Sequence, residues 1–246
     1  MGIKHKVNET FFDTWSAEMA YVLGYLYADG SMEDASYLRG KYVRVTSVEK
    51  HAIINIKRLM NAEHRITAQE STWPNGRIRY GLRIGSHKLY DSLTKRGLYP
   101  NKSLTIKFPN ISDEYLRNFV RGYLDGDGCV YLERKKGKTQ KSIIKKLTVI
   151  FTSGSKDFLR GLEKSLRGAV GTRQGGIYQG HRSYQLRYST ADSIRLFGFL
   201  YGKVPHNLYF KRKLKPFLMY FRLRPTKIDI SVKATIEYLQ HGHVVK

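Results

Sequence analysis

The chain has 246 residues, a formal net charge of +24 and one cysteine. This length can form one large domain or two small ones, and the charge predicts a polyanionic partner, with a phosphate backbone as the leading candidate. The lone Cys129 excludes a disulfide framework and a zinc finger, and no run of about 18 apolar residues is present to span a membrane.

The distribution of charge and the N-terminal segment bear on where the protein acts. Basic residues are spread along the chain and do not gather beside an apolar helix or a lipidation signal, so we expect no membrane binding. The segment MGIKHKVNETFF is polar and charged and lacks the apolar core of a signal peptide. We expect a protein that is not secreted and that acts in the cytoplasm or nucleoid of a prokaryote, or in an organelle matrix.

The first predicted element is a short apolar helix in WSAEMAYVLGYLYADG, with Ser16 as its N-cap. Gly30 follows its end, where helices often place a left-handed residue. Gly24 lies four residues before Ala28, which leaves a stripe of small side chains on one face. Because an interior glycine costs a helix about 1 kcal/mol relative to alanine, the stripe predicts that another helix backbone packs there.

The rest of the first half alternates between strand and helix patterns. KYVRVTS, residues 41–47, and GRIRYGLRIGS, residues 76–86, alternate apolar and polar residues as a half-buried strand does. In the second of these strands, Ile78, Tyr80, Leu82 and Ile84 are predicted to face the core, while Arg77, Arg79, Gly81 and Arg83 face away. Residues 51–60 and 88–96 are predicted helices, and TWPNGR is a predicted hairpin turn.

The second half repeats this order, beginning with ISDEYLRNFVRGYLDGDG. Its helix has Ser112 as a predicted N-cap, Gly122 four residues before Gly126, and Gly128 at its end. Residues 147–153 and 182–190 are predicted strands, residues 157–166 a predicted helix, and residues 133–146 a charged hairpin. The core pattern of the strands is kept while the polar pattern changes, which predicts one scaffold that recognises two different half-sites.

Asp29 and Asp127 occupy the unfavourable end of the two glycine-containing helices. A carboxylate at a helix C-terminus meets the negative end of the dipole. If the two stripes of small residues face each other, two acids and two like dipole ends come together, which is unfavourable without a divalent cation. Segments that depart from several rules of local secondary structure at once are typical of functional sites.

VLGYLYADG and VRGYLDGDG resemble the paired motifs of the LAGLIDADG homing endonucleases, in the single-chain form with two copies. The resemblance implies an α+β fold of two pseudo-symmetric αββαββα halves, with antiparallel sheets that form a DNA-binding saddle and motif helices packed at the centre. The predicted halves are residues 1–108 and 109–225. Residues 226–246 are left as a tail that could be a strand and a helix or a loose end.

The resemblance also implies a metal site. The eighth motif position holds the metal-binding acid, here Asp29 and Asp127, and the preceding Ala28 and Gly126 are included in the predicted site. The expected cofactor is Mg²⁺, as two or three ions shared between the acids; Mn²⁺ is expected to substitute, and Ca²⁺ to support binding without cleavage. The often acidic sixth position holds Asp125 in the second motif.

Basic and amide side chains complete the predicted machinery. Lys102, Lys211 and Lys213 resemble the family's basic positions near the catalytic water, with generic phosphate contact as the alternative. The predicted DNA-binding residues are Arg44, Arg77, Arg79, Arg83, Lys135, Lys136, Lys138, Arg173, Arg182, Gln185 and Arg187. Arginine can pair with guanine and glutamine with adenine, although phosphate or water contact alone remains an open alternative.

Two classes of function fit these features. The leading hypothesis is a monomeric, site-specific homing endonuclease of a mobile intron or free-standing gene, which cuts one phosphodiester on each strand of a long, asymmetric DNA duplex. The alternative is an RNA splicing maturase that binds its own intron RNA, or a non-cleaving DNA-binding protein of the same fold. Both acids are present, which favours cleavage over a non-cleaving DNA-binding regulator, but a maturase can keep them, so they do not exclude a splicing role. The arginine-lined strand favours the major groove of DNA over that of A-form RNA.

Overall fold

The computed structural model describes residues 5–38, 40–70, 76–136, 142–205 and 208–241. By compactness the chain divides into two units, Met1–Gly126 and Asp127–Lys246. This division follows contacts, whereas the predicted boundary at residues 108 and 109 follows the sequence repeat. That boundary stays a prediction.

The first unit contains one sheet and the two helices that carry the motifs. Its elements are α1 (Ala17–Asp29), β1 (Gly30–Ala35), a 3₁₀ turn (Ser36–Leu38), β2 (Gly40–Ser47), α2 (Lys50–Leu59), β3 (Ile66–Gln69), β4 (Arg79–Gly85), α3 (His87–Lys95), a 3₁₀ turn (Lys102–Leu104) and α4 (Asp113–Asp127), whose last residue begins the second unit. The described strands form a four-stranded antiparallel sheet in the order β1-β2-β4-β3.

The second unit repeats the sheet and adds two helices. Its elements are β5 (Gly128–Lys136), β6 (Ser142–Ser153), α5 (Lys156–Val170), β7 (Gly176–Gly180), β8 (Ser183–Arg187), α6 (Thr190–Tyr201), α7 (Lys211–Leu223), a 3₁₀ turn (Pro225–Lys227) and α8 (Ile230–His241). The sheet order β5-β6-β8-β7 matches that of the first sheet. The predicted α+β fold and the αββαββα order of each repeat are therefore confirmed.

The alternation of apolar residues in β2 and β4 forms the core face of the first sheet. Val43 and Val45 are buried, as are Leu82 and Ile84, with which they pair in register. The predicted burial of Ile78 is wrong: it lies before β4 and is 42% exposed. The described pairing of β3 with β4 begins at Arg79, so the sheet ends before Ile78. Most of the predicted TWPNGR turn lies outside the described residues.

The second sheet has the same two-sided construction. Val149 and Phe151 of β6 and Leu186 of β8 are fully buried. The predicted hairpin at residues 133–146 is present as the antiparallel pairing of β5 with β6, which extends to Lys136 opposite Ser142. Residues 137–141, between these strands, lie outside the described range.

The ends of the motif helices differ from expectation in one respect. Ser16 caps α1 as predicted, because its Oγ accepts a hydrogen bond from the Met19 amide at 3.0 Å. The left-handed conformation expected of Gly30 is wrong, since its φ is −88° and ψ 150°, and Gly128 has no positive φ either. The helices pass directly into strands. A Cβ at Gly30 would lie 2.5 Å from the Leu26 carbonyl oxygen, so the glycine supplies space and not an unusual dihedral angle.

The C-terminal segment is helical. α7 packs on β5 and β6, and α8 packs on α6. In α8, Val232 is buried, and the Tyr238 hydroxyl donates a hydrogen bond to the Val204 carbonyl at 3.1 Å. The tail whose structure the sequence left open is thus a docked helix over Ile230–His241, while residues 242–246 lie outside the described range.

Candidate active site and sheet surfaces

Within the first unit, α1 and α4 approach each other at their glycines. A Cβ at Gly24 would overlap the Phe119 carbonyl group, at 2.8 Å from its carbon. A Cβ at Gly122 would overlap the Tyr21 carbonyl group, at 2.9 Å from its carbon. Main-chain atoms cannot move aside as a flexible side chain can, so this contact requires the absence of both Cβ atoms.

The same contact continues to the C-terminal end of α1. A Cβ at Gly126 would lie 2.5 Å from the Ala28 Cβ and 3.3 Å from Oδ2 of Asp29. The carboxylate of Asp29 therefore lies beside the last turn of α4, and it is only partly buried. Asp127 follows Gly126 in the chain and is exposed.

Tyr25 lies beside Asp29 in the core of the first unit. Burial raises the pKa of the Tyr25 hydroxyl well above its usual value, and the negative charge of Asp29 raises it further. The hydroxyl therefore stays protonated at neutral pH and can donate a hydrogen bond.

The sixth motif position has a structural role in both helices. The Tyr27 hydroxyl donates a hydrogen bond to the Arg96 carbonyl at 2.6 Å. Asp125 is 2% exposed and accepts a hydrogen bond from the Tyr21 hydroxyl at 2.8 Å. Burial, followed by the Asp125 charge, raises the pKa of Tyr21. Asp125 thus joins α4 to α1 inside the first unit and does not present its carboxylate to solvent.

Two of the three predicted lysines are buried next to the ends of the motif helices. Lys102 is 6% exposed, and its Nζ donates a hydrogen bond to the Tyr27 carbonyl at 2.9 Å, in the last turn of α1. Lys213, in the second unit, is also 6% exposed and donates to the Gly128 carbonyl, directly after α4. A cation at a helix C-terminus is favourable, so each lysine offsets the unfavourable position of the neighbouring acid.

Lys211 lies only two residues before Lys213 but is exposed, as is Arg212. All three basic residues lie in the first turn of α7, where no acidic residue accompanies them. Cations at a helix N-terminus are unfavourable by themselves. The exposed pair would gain from a bound anion such as a phosphate.

The first sheet carries its predicted DNA-contacting arginines on the face opposite the core. In register, Arg44 lies opposite Arg83 on β4, and Gln69 on β3 lies opposite Arg79. Arg79 and Arg83 are exposed and Arg44 is partly buried. Arg77 is exposed but precedes β4, so it lies outside the strand on which it was predicted.

The second sheet places a shorter set on its polar face. Gln185 and Arg187 alternate with the buried Leu186 on β8. Arg173 precedes β7, and Arg182 lies in the turn between β7 and β8 with a φ of 55°. Three predicted lysines cannot be placed: the side chains of Lys135 and Lys136 and the whole of Lys138 lie outside the described part.

Residues 114–200 match the family model described as the LAGLIDADG-like domain. This part of the chain is similar to a LAGLIDADG-like domain. This match begins in α4 and ends in α6, so it spans the second repeat with its motif. No curated protein sequence matches the chain.

Solved structures show a likeness in fold that includes the first repeat. The homing endonuclease I-WcaI, bound to its DNA recognition sequence, has a TM-score of 0.58 and 13% identity, over 84% of this chain and 91% of its own. The I-LtrWI LAGLIDADG homing endonuclease bound to target DNA has a TM-score of 0.58 and 11% identity, over 95% and 98%. I-DmoI in complex with DNA and Ca has a TM-score of 0.53 and 19% identity, over 87% and 99%. The LAGLIDADG resemblance is confirmed, and these structures share the fold over 84 to 95% of the chain.

The donor groups of the LAGLIDADG motifs fit a divalent ion of the Mg²⁺ type. Among the residues that the structure describes, no group of three or more His, Cys, Asp or Glu side chains could hold a metal ion. Mg²⁺ is usually bound by one or two carboxylates together with waters and substrate phosphates, so the end of a motif helix needs no cluster of acidic residues to hold it. Their hard oxygen ligands also suit this ion.

One polar cluster in the second LAGLIDADG helix was not predicted from sequence. Arg121 is fully buried and donates a hydrogen bond from Nη2 to Oδ1 of Asn118 at 2.5 Å. Its spacing gives a signal that could have been used: Asn118, Arg121 and Asp125 lie three and four residues apart and therefore share a helix face. In the described part of the chain, no helix is long and apolar enough to cross a bilayer.

Proposed function

We propose that the protein is a monomeric, site-specific DNA endonuclease that cuts both strands of an asymmetric duplex with a divalent metal. The contact of α1 with α4 in the first unit carries this proposal. It runs from Gly24 and Gly122 to the carboxylate of Asp29, and it ends at Gly126, the residue before Asp127. The solved structures of this fold include I-WcaI bound to its DNA recognition sequence and I-DmoI with DNA and Ca.

Asp29 and Asp127 would hold the metal ions, with the neighbouring Ala28 and Gly126 as part of the site. Bound divalent ions would supply an activated water and would offset the charge that develops on the leaving oxygen. Mg²⁺ is the proposed ion; I-DmoI complexes with Mn and with Mg support this class of metal. The lysines have a separate role. Lys102 and Lys213 each place a buried ammonium beside a motif end, where low polarity strengthens its effect on a nearby phosphate.

The role proposed for Lys213 predicts that substitutions of Lys213 and of Lys211, both on α7, have different effects on the cleavage rate. Lys213→Met should lower the cleavage rate by about 10²-fold with little change in DNA affinity, because a buried charge near the reacting phosphate is lost. Lys211→Met removes the same charge from an exposed position two residues away and should change the rate only slightly. Single-turnover cleavage and thermal melting of both variants make the comparison. Equal rates in two folded variants would contradict the role of Lys213.

The basic residues on the two sheets lead to a prediction of how DNA affinity depends on salt concentration. Phosphate contacts release counterions, so DNA affinity should fall by about 10³-fold or more between about 50 and 200 mM salt. Fluorescence anisotropy with a labelled duplex measures this dependence. A flat profile would contradict an interface dominated by phosphate contacts, and tighter binding of an RNA duplex than of a DNA duplex would favour the maturase alternative.

One experiment tests the proposed function as a whole. The protein is incubated with a randomised duplex library and Mg²⁺, and the broken ends are sequenced. A shared sequence on both sides of the break would support a site-specific endonuclease and would identify its target and overhang. Bound but uncut duplexes with a shared sequence would instead favour the non-cleaving DNA-binding alternative.

A further inference from the structure

Arg83 on β4 is held by two neighbours on the polar face of the first sheet. Its Nε and Nη2 both donate hydrogen bonds to Oε2 of Glu33 on β1, at 3.1 and 2.8 Å. Its guanidinium carbon lies 3.5 Å from the centroid of the Tyr42 ring on β2. Glu33 and Tyr42 are directly opposite each other in the β1–β2 pairing. The arginine thus has a defined orientation although it is half exposed.

Arg187 on β8, which matches Arg83 in the sequence repeat, also has an acceptor and a tyrosine as partners, but these lie on β8 itself and on β7. Its Nε and Nη2 both donate hydrogen bonds to Oε1 of Gln185, at 3.1 and 2.6 Å. Its guanidinium lies 5.3 Å from the centroid of the Tyr178 ring on β7. Each arginine therefore has one acceptor and one tyrosine. The acceptor is a charged carboxylate in the first sheet and a neutral amide in the second.

Glycines make room for the two tyrosine rings. A Cβ at Gly40 would lie 2.6 Å from the Tyr42 ring, and a Cβ at Gly85, opposite Tyr42 on β4, would lie 3.0 Å from it. A Cβ at Gly176 would lie 2.6 Å from the Tyr178 ring. In both sheets the ring lies over the glycine two residues earlier on its own strand. Both sheets thus combine an arginine, an acceptor and a tyrosine that lies over a glycine, although the partners lie on different strands. This recurrence indicates that the position of the arginine matters.

Stability alone does not account for Glu33. The Arg83–Glu33 pair is 50% and 38% exposed, and ion pairs at such positions stabilise proteins little. A carboxylate on a surface that meets phosphates also weakens general binding to nucleic acid. A side chain that lowers the affinity for any nucleic acid but holds one hydrogen-bond donor in a fixed orientation is characteristic of a specificity-determining residue.

We propose that Glu33 is a specificity-determining residue that positions Arg83 to recognise one guanine in the first half-site. Glu33 occupies the Nε–Nη2 edge of the guanidinium, which leaves Nη1 and the second Nη2 hydrogen as an outer edge. That edge matches the O6 and N7 acceptors of guanine in the major groove. Gln185 positions Arg187 in the same manner. This inference rests on the proposed function, because it requires duplex DNA on the sheet surface.

The test is selection of bound duplexes from a randomised DNA library, with the full-length protein and Ca²⁺ in place of Mg²⁺. The position read by Arg83 is identified as the one at which Arg83→Ala loses guanine preference. Glu33→Ala should lower guanine preference there by about tenfold or more, without changing the other positions. Affinity for random DNA should rise or stay the same, since a negative charge is removed.

Conservative variants separate positioning from charge. Glu33→Gln should keep most of the guanine preference, because an amide performs the same role at Gln185. Gln185→Ala should lower preference at a different position, the one lost in Arg187→Ala. Thermal melting checks that every variant is folded; a merely structural role of Glu33 would change the melting temperature but not the preference at one base pair.

Two results would overturn the inference. Unchanged or sharper guanine preference in Glu33→Ala would mean that Glu33 binds Arg83 only in the free protein and that DNA displaces it from Arg83. If the wild-type protein selected no sequence at all, the proposed function would fail together with the inference. A wild-type preference that Glu33→Ala leaves intact rejects the inference alone.

Discussion

Replacing Asp29 or Asp127 by asparagine is expected to abolish cleavage, with a loss of about 10³-fold or more in rate. The amide has nearly the same shape but no charge, and it binds a hard divalent cation poorly. DNA binding should persist with Ca²⁺, because the sheet surfaces are unchanged. Cleavage of a supercoiled plasmid that carries the selected target measures the effect, since nicked and linear products are resolved.

Two other aspartates provide controls for this result. Asp157→Asn removes one exposed negative charge on α5, where Asp157 pairs with Arg160, and should leave cleavage unchanged. Asp125→Asn changes a buried motif residue that accepts a hydrogen bond from Tyr21. It should lower the free energy of unfolding more than it lowers the cleavage rate. Normal cutting by the Asp29 or Asp127 variant would reject the assignment of the metal site.

Replacing Gly122 by alanine is expected to destabilise the protein by about 3 kcal/mol. The new Cβ would overlap the Tyr21 carbonyl group on α1, and two helix backbones would have to separate to accept it. Gly24→Ala should have a similar effect through Phe119, and Gly122→Leu should prevent folding. Urea unfolding followed by circular dichroism gives the change in the free energy of unfolding.

The chain contains matched glycines for comparison. Gly198 in α6 and Gly168 in α5 are also helical, but a Cβ at either position meets nothing within 4 Å. Alanine there should be neutral or should stabilise by up to about 1 kcal/mol, because alanine has the higher helix propensity. Wild-type stability in Gly122→Ala would show that the contact between α1 and α4 is looser than described.

The periodic parts of the fold could be predicted because their signal is local. Val43, Val45, Leu82 and Ile84 alternate with polar residues, and a strand buried on one face needs only that pattern. The prediction was wrong at Ile78, where the sheet ends. Where a strand ends depends on the pairing partner, here β3, and no pattern within the strand itself records it.

The conformation of Gly30 illustrates a different limit. Capping rules describe an isolated helix end, for which a left-handed glycine is a common solution. Here the chain continues directly into β1, close over Leu26, so the glycine is needed for space. The sequence identified the residue type that matters at this position but not the reason for it.

The sequence by itself determined the two repeats, the strand faces and the candidate acids, because periodicity and motif spacing are properties of neighbouring residues. Only the tertiary structure decided that Lys102 and Lys213 are buried against main-chain carbonyls while Lys211 is exposed. It alone joined Glu33 to Arg83, 50 residues apart. Burial and side-chain partners depend on which segments pack together, and charge and spacing along the chain do not encode that choice.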